Sequence, residues 1–138
     1  FNRLVPGTIQ KPENGESPVI RHPANGVFKR DFLYINDIVN AYMYMLYNIE
    51  KENVVGNAFN FGTGIATDIE TVVNKIKSIM GCDDIHSVVQ QSDVSEILIQ
   101  QLDATKAFDR LGWKAEYSVD KELAETIDWY RNVYFKQN

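Results

Sequence analysis

The chain has 138 residues, 44% of them hydrophobic and 12% aromatic, with 14 Lys and Arg against 19 Asp and Glu for a formal net charge of −5. That length suits one compact domain with its own core, the apolar share excludes intrinsic disorder, and no apolar run approaches the roughly 20 residues of a membrane span. The acidic balance argues against general nucleic-acid binding, and the single Cys82 excludes an intrachain disulfide and fits a reducing, cytoplasmic compartment.

The chain opens at Phe1 with no initiator Met and no signal-peptide pattern, which reads most simply as a piece of a longer protein. Leu4 to Lys11 is predicted to be a helix with Pro6 tolerated in its first turn, and Pro12-Glu13-Asn14-Gly15 ends it. Pro18-Val19-Ile20 is extended, Pro23-Ala24-Asn25-Gly26 turns, and Phe32-Leu33-Tyr34-Ile35 reads as a strand. Asp37 is the expected N-cap of a helix from Ile38 to about Glu50 that is apolar over most of its circumference, as in a helix covered on more than one side. Asn53 to Gly56 turns into a strand at Asn57–Phe61. Thr67-Asp68-Ile69-Glu70 has the form of a capping box, followed by Ile69, Val72, Val73, Ile76, Ile79 and Met80 at helical spacing, with Gly81 as the stop. Ser87–Gln90 and Ile97–Ile99 look extended, Asp103 caps a helix to about Leu111 before Gly112, and a last helix from near Asp120 carries Leu123, Ala124, Ile127, Tyr130 and Tyr134 on one stripe. Mixed strands and helices indicate an α/β or α+β chain.

Few residues here suggest chemistry of their own. His22 and His86 are the only histidines, and neither stands at metal-ligand spacing from the other or from Cys82. Gly62-Thr63-Gly64, between a strand and a helix, has the setting of a phosphate cradle but lacks the third glycine, and a plain strand-to-helix turn explains it as well. Tyr-x-x-x-Lys occurs at Tyr47/Lys51 and at Tyr117/Lys121, at a helix end and across a helix start, where the phenol and ammonium need not share a face. Arg3, Arg21, Lys29 and Arg30 cluster in the first thirty residues of an acidic chain, and guanidinium groups suit bidentate contact with phosphate and stacking on a planar base. A solvated basic surface is the alternative.

Arg30-Asp31-Phe32-Leu33-Tyr34-Ile35-Asn36-Asp37 resembles the "RD-aromatic-aliphatic-aromatic-aliphatic-x-D" segment of the extended short-chain dehydrogenases/reductases, the NAD-dependent nucleotide-sugar epimerases and dehydratases. Asn2-Arg3-Leu4-Val5-Pro6, Pro18-Val19-Ile20-Arg21, Ala58-Phe59-Asn60-Phe61-Gly62, and Leu102-Asp103-Ala104-Thr105-Lys106-Ala107 with Leu111-Gly112-Trp113-Lys114 resemble further segments of that family in the same order. The resemblance implies a substrate-binding C-terminal part of a Rossmann-type enzyme that lacks its NAD-binding half, with residues 37–62 packing on that half.

By the same resemblance Arg30 and Arg3 meet the diphosphate of a nucleotide-diphosphate sugar and Arg21 packs on the base. Asn2 and Leu4 belong to the substrate-side segment, Asn60 lies near the substrate, and Glu96 touches a ribose hydroxyl. The family's second phosphate-clamping Arg is missing from Ser92-Asp93-Val94-Ser95-Glu96. The opening segment and Glu96–Asp103 are closest to 4,6-dehydratases near the CDP-glucose branch. The implied whole enzyme is a homo-oligomeric 4,6-dehydratase that uses NAD, with a 4-epimerase as the alternative. This chain by itself is expected to be inactive, because the glycine-rich NAD loop and the catalytic Tyr-x-x-x-Lys of the family precede it. A non-catalytic module of the same fold is the reading from another class.

Overall fold

The computed structural model describes residues 3–92 and 96–137. In chain order its elements are α1 (Leu4–Glu13), β1 (Val19–Pro23), β2 (Lys29–Asp31), α2 (Ile35–Tyr47), β3 (Ala66–Asp68), α3 (Ile69–Met80), β4 (Val88–Ser92), β5 (Ile99–Gln100), α4 (Thr105–Leu111) and α5 (Val119–Trp129), which runs on through a π-helical turn (Tyr130–Tyr134) into α6 (Phe135–Gln137). They gather into two compact units, one from Phe1–Phe28, Asp68–Leu98 and Val119–Asn138, the other from Lys29–Thr67 and Ile99–Ser118.

In the first unit α3 is the central helix, in contact with α1, α5 and β1. Its apolar residues recur at helical spacing, and Val72, Val73, Ile76 and Met80 are buried, whereas Ile79 is turned outward. Gly81 ends the helix in the left-handed conformation at φ 70°, open to glycine without a Cβ penalty. The cap falls one residue later than the expected Thr67. Asp68, the last residue of β3, is the N-cap, its carboxylate accepting from the Glu70 amide at 2.7 Å. Asp68→Ala is therefore expected to lower stability by about 1 kcal/mol in equilibrium denaturation, with Thr67→Ala costing less.

β1 and β4 pair in parallel from Val19↔Val88 to Pro23↔Ser92, so both extended readings became strands. In α5 the buried face runs through Glu122, Leu123 and Ile127, and Ala124, expected on the core stripe, is exposed. After Trp129 the helix widens, and the rings of Trp129, Tyr130, Tyr134 and Phe135 pack on one another with centroids 5.0–5.9 Å apart.

The second unit holds the strand order β3-β2-β5, with β2 and β5 parallel through Lys29↔Ile99 and Arg30↔Gln100. The strand expected at Phe32–Ile35 lies earlier, because pairing stops at Asp31 and the chain enters α2 at Ile35. Asp37 is not the N-cap. Tyr34 holds that position without a side-chain cap to the helix, and Asp37 sits buried in the first turn, where a carboxylate is favoured by the helix dipole. Its Oδ1 accepts from the Glu116 amide at 3.0 Å, and its carbonyl accepts from the Trp113 indole N–H at 3.2 Å.

Ala41, Val54, Ala107, Leu111 and Trp113 form the core of this unit, with Phe59 and Phe61 packed against it. The strand expected at Asn57–Phe61 is absent, since no described residue pairs with that stretch, yet its aromatic side chains still face inward. The N-cap of α4 is Ala104 and not the expected Asp103, one residue earlier, whose carboxylate accepts from the Thr105 amide at 2.9 Å, and the helix stops at Gly112 as expected, at φ 77°. Only Asp37 and Ala41 of α2 are buried, and Ile35, Val39, Tyr42, Leu46 and Tyr47 stand exposed along the rest of the helix.

Candidate functional site

The candidates from the sequence are divided between the two units. Asn2 lies outside the described residues. In the first unit Arg3 is the exposed N-cap of α1, with Leu4 half-buried behind it. Arg21 is exposed on β1 opposite Gln90 of β4, and Glu96 is exposed ahead of β5. His22, beside Arg21, faces the Glu70 carboxylate at 3.6 Å, an ionic contact only when the imidazole is protonated. In the second unit Arg30 is half-buried on β2, its Nη1 donating to the Lys29 carbonyl at 2.8 Å, and Asn60 is exposed between Phe59 and Phe61.

Beside Arg30 the structure shows an arrangement the sequence reading missed. The Asp31 carboxylate accepts four hydrogen bonds. Its Oδ1 takes the Thr63 amide at 2.9 Å and the Thr63 hydroxyl at 2.5 Å, and its Oδ2 takes the Gly64 amide at 3.0 Å and the Leu102 amide at 3.2 Å. Burial pushes the Asp31 carboxyl up, but the bonds from Thr63, Leu102 and Gly64 outweigh it and hold the group below the usual carboxylate range. Gly62 closes the arrangement. A Cβ there would lie 2.7 Å from Asp31 Oδ2 and 2.7 Å from Leu102 Cβ, so no larger residue fits without a shift.

These bonds decide the reading of Gly62-Thr63-Gly64. The amides that a phosphate would need are already donated to Asp31, so the loop is an internal strap and does not fit the diphosphate of NAD. The signal was visible in part: the loop is an anion-receiving turn, but its anion is a side chain 32 residues earlier in the chain. Next to the strap a cavity of about 530 Å3 is lined by the Gly62-Thr63-Gly64 loop and by residues that include Gln101, Asp103, Thr105 and Lys114, and none of Arg3, Leu4, Arg21, Arg30, Asn60 and Glu96 lines it. Of the two Tyr-x-x-x-Lys pairs, Tyr47 ends α2 with its ring exposed, and Tyr117 packs on Tyr34 with ring centroids 5.3 Å apart.

Comparison with known proteins puts this geometry in a family. A UDP-glucose 4-epimerase from Bifidobacterium longum is 28% identical over 105 residues, covering 76% of this chain and 30% of that protein. A CDP-glucose 4,6-dehydratase from Salmonella typhimurium is 23% identical over 133 residues, covering 94% of this chain and 36% of that protein. Among solved structures, a Bifidobacterium longum UDP-glucose 4-epimerase in complex with NAD+ and UDP has the same fold, with a TM-score of 0.79 at 24% identity over 96% of this chain and 40% of that one. The chain thus spans about a third of the length of the curated relatives it matches. The model of the family described as GDP-mannose 4,6 dehydratase matches residues 1–126, nearly the whole sequence, and the chain belongs to that family, among the extended short-chain dehydrogenases/reductases.

Proposed function

We propose that this chain is the C-terminal, nucleotide-sugar-binding portion of an NAD-dependent nucleotide-sugar 4,6-dehydratase. The observation that carries the reading is Arg30 on β2, a guanidinium set on a strand that is pinned at its end by the four bonds to Asp31. Arginine presents a planar fork suited to two phosphate oxygens at once. Arg3 supplies a second positive charge to the same diphosphate, Arg21 packs on the base, Asn2, Leu4 and Asn60 line the sugar side, and Glu96 accepts from a ribose hydroxyl. No residue of this chain is assigned to NAD, whose binding belongs to the preceding half of the polypeptide. The full-length protein, given a nucleotide-diphosphate hexose, is expected to release a 4-keto-6-deoxy sugar nucleotide, and a C4 epimer in its place would refute the dehydratase reading. The epimerase relative named above favours that second outcome.

Residues 37–62, with the outward face of α2, are proposed to pack on that preceding half. The 138 residues expressed alone are then inactive and carry an uncovered apolar helix face, a hazard for association. Light scattering is expected to show them self-associating as concentration rises, and Leu46→Asp with Tyr42→Glu to suppress it. A monomer at high concentration in the unmodified chain would count against an uncovered face.

A further inference from the structure

We infer that Lys106 and Arg110, at one end of an apolar groove, receive a carboxylate from the preceding half of the polypeptide, so that groove and cations form one docking surface. The inference deepens the reading that residues 37–62 pack on that half, and it rests on that reading. All the residues concerned belong to the second unit. The groove has a volume of about 540 Å3 and is lined by residues that include Tyr42 and Leu46 on α2, Ile49 just after it, and Val55 and Asn57 further on. Apart from the Tyr42 hydroxyl, Asn57 supplies the polar side chain of this lining among the described residues.

Asn57 marks where the groove turns cationic. Its Oδ1 accepts from Lys106 Nζ at 2.9 Å and from Arg110 Nη1 at 2.9 Å. Lys106 and Arg110 stand at i and i+4 on α4 and so share a face of it. Arg110 Nη1 also donates to the Asn53 carbonyl at 2.9 Å, and the Lys106 ammonium lies 5.1 Å from the centre of the Phe59 ring. These contacts orient both cations without neutralising them. Sharing one amide oxygen sets the two like charges within about 6 Å of each other, an arrangement that costs energy until an anion joins them. The chain carries 19 Asp and Glu against 14 Lys and Arg. Still, no described carboxylate, Asp109 of the same helix included, forms an ion pair with either cation. Lys106 keeps N–H donors to spare, and Arg110 keeps its Nε and Nη2.

A carboxylate suits this vacancy in charge, since its two oxygens match the guanidinium fork and still accept from an ammonium. The apolar groove beside the cations calls for apolar side chains at the same time. Together they describe a protein surface with an Asp or Glu next to an apolar patch, and not a free ion. The chain spans about a third of the length of the relatives it matches, which leaves ample polypeptide to supply that surface.

The test is made on the full-length polypeptide. A carbodiimide joins an amine to a carboxylate only where the two already touch, and the joined peptides are read by mass spectrometry. Lys106 is expected to be found linked to an Asp or Glu that precedes Phe1. A link only within these 138 residues, a link to a second copy (told apart by mixing isotope-labelled with unlabelled protein), or no link at all would overturn the inference. Hydrogen exchange gives a second readout. Lys106→Glu with Arg110→Glu is expected to speed exchange of the amides of residues 42–57 about tenfold and to leave α3 as in the parent. Lys106→Met with Arg110→Met is expected to act in the same direction, more weakly, which keeps the test available if the charge reversal does not fold. Asn57→Ala removes the local acceptor but neither charge, and it is expected to do less. An effect as large as that of the charge reversal would make the pair a local tie and overturn the docking role. If Leu46→Asp with Tyr42→Glu speeds this exchange while the charge reversal does not, the inference fails and the packing of residues 37–62 stands. If neither does, that packing fails and this inference falls with it.

Discussion

Trp113→Ala is expected to lower the stability of the chain by about 3–5 kcal/mol, a large part of the roughly 5–15 kcal/mol that holds a domain folded. Trp113 is completely buried among Ala41, Val54, Ala107 and Leu111. Phe61 meets its ring edge-on, with centroids 4.9 Å apart. Removing the indole leaves a cavity that α2 and α4 cannot both close, and it strips the donor from the Asp37 carbonyl. Trp113→Phe separates the two losses. It keeps most of the apolar contact and gives up the hydrogen bond, with an expected cost of about 1–3 kcal/mol. Equilibrium denaturation of the full-length protein, followed by intrinsic fluorescence and by circular dichroism, checks both values. A shift under about 1 kcal/mol for Trp113→Ala would mean that this core is not the one that holds the second unit together.

Trp113 also shows where the sequence was legible and where it was not. The Leu111-Gly112-Trp113 run marks its segment in the sequence, and Gly112 stops α4 as a left-handed glycine should. α3 was legible for the same kind of reason, since its period and Gly81 are both local signals. The errors came where a distant partner overrides a local preference. Asp37 has the chemistry of a cap, yet the Glu116 amide, 79 residues away, takes its carboxylate and the helix starts earlier. Asn57–Phe61 has the pattern of a strand but finds no partner among the described residues. The Asp31 strap joins positions 32 and 71 residues apart, and no spacing rule reaches that far. A family resemblance assigns a role to Arg30, but the bonds that tie its neighbour Asp31 to Thr63, Gly64 and Leu102 leave no local signature in the sequence.

Arg30→Ala in the full-length protein is expected to weaken nucleoside-diphosphate binding by about 1.5–3 kcal/mol, a loss of roughly 10- to 150-fold in affinity. The size follows from removing charged hydrogen bonds to a phosphate in a partly buried setting, since Arg30 is half-buried on β2 and not out on a solvated loop. Arg30→Lys keeps the charge but replaces the planar fork with a single ammonium, so it should recover only part of the loss. Arg3 and Arg21, both exposed, are expected to contribute less each, because water screens them more. The salt dependence separates these cases. The affinity lost with Arg30 should persist at high ionic strength, whereas the smaller contributions of Arg3 and Arg21 should fade. An Arg30→Ala protein that folds and binds the diphosphate as tightly as the parent would take the guanidinium out of the site, and the conclusion that this part of the chain grips an activated sugar would have to be rebuilt on other residues.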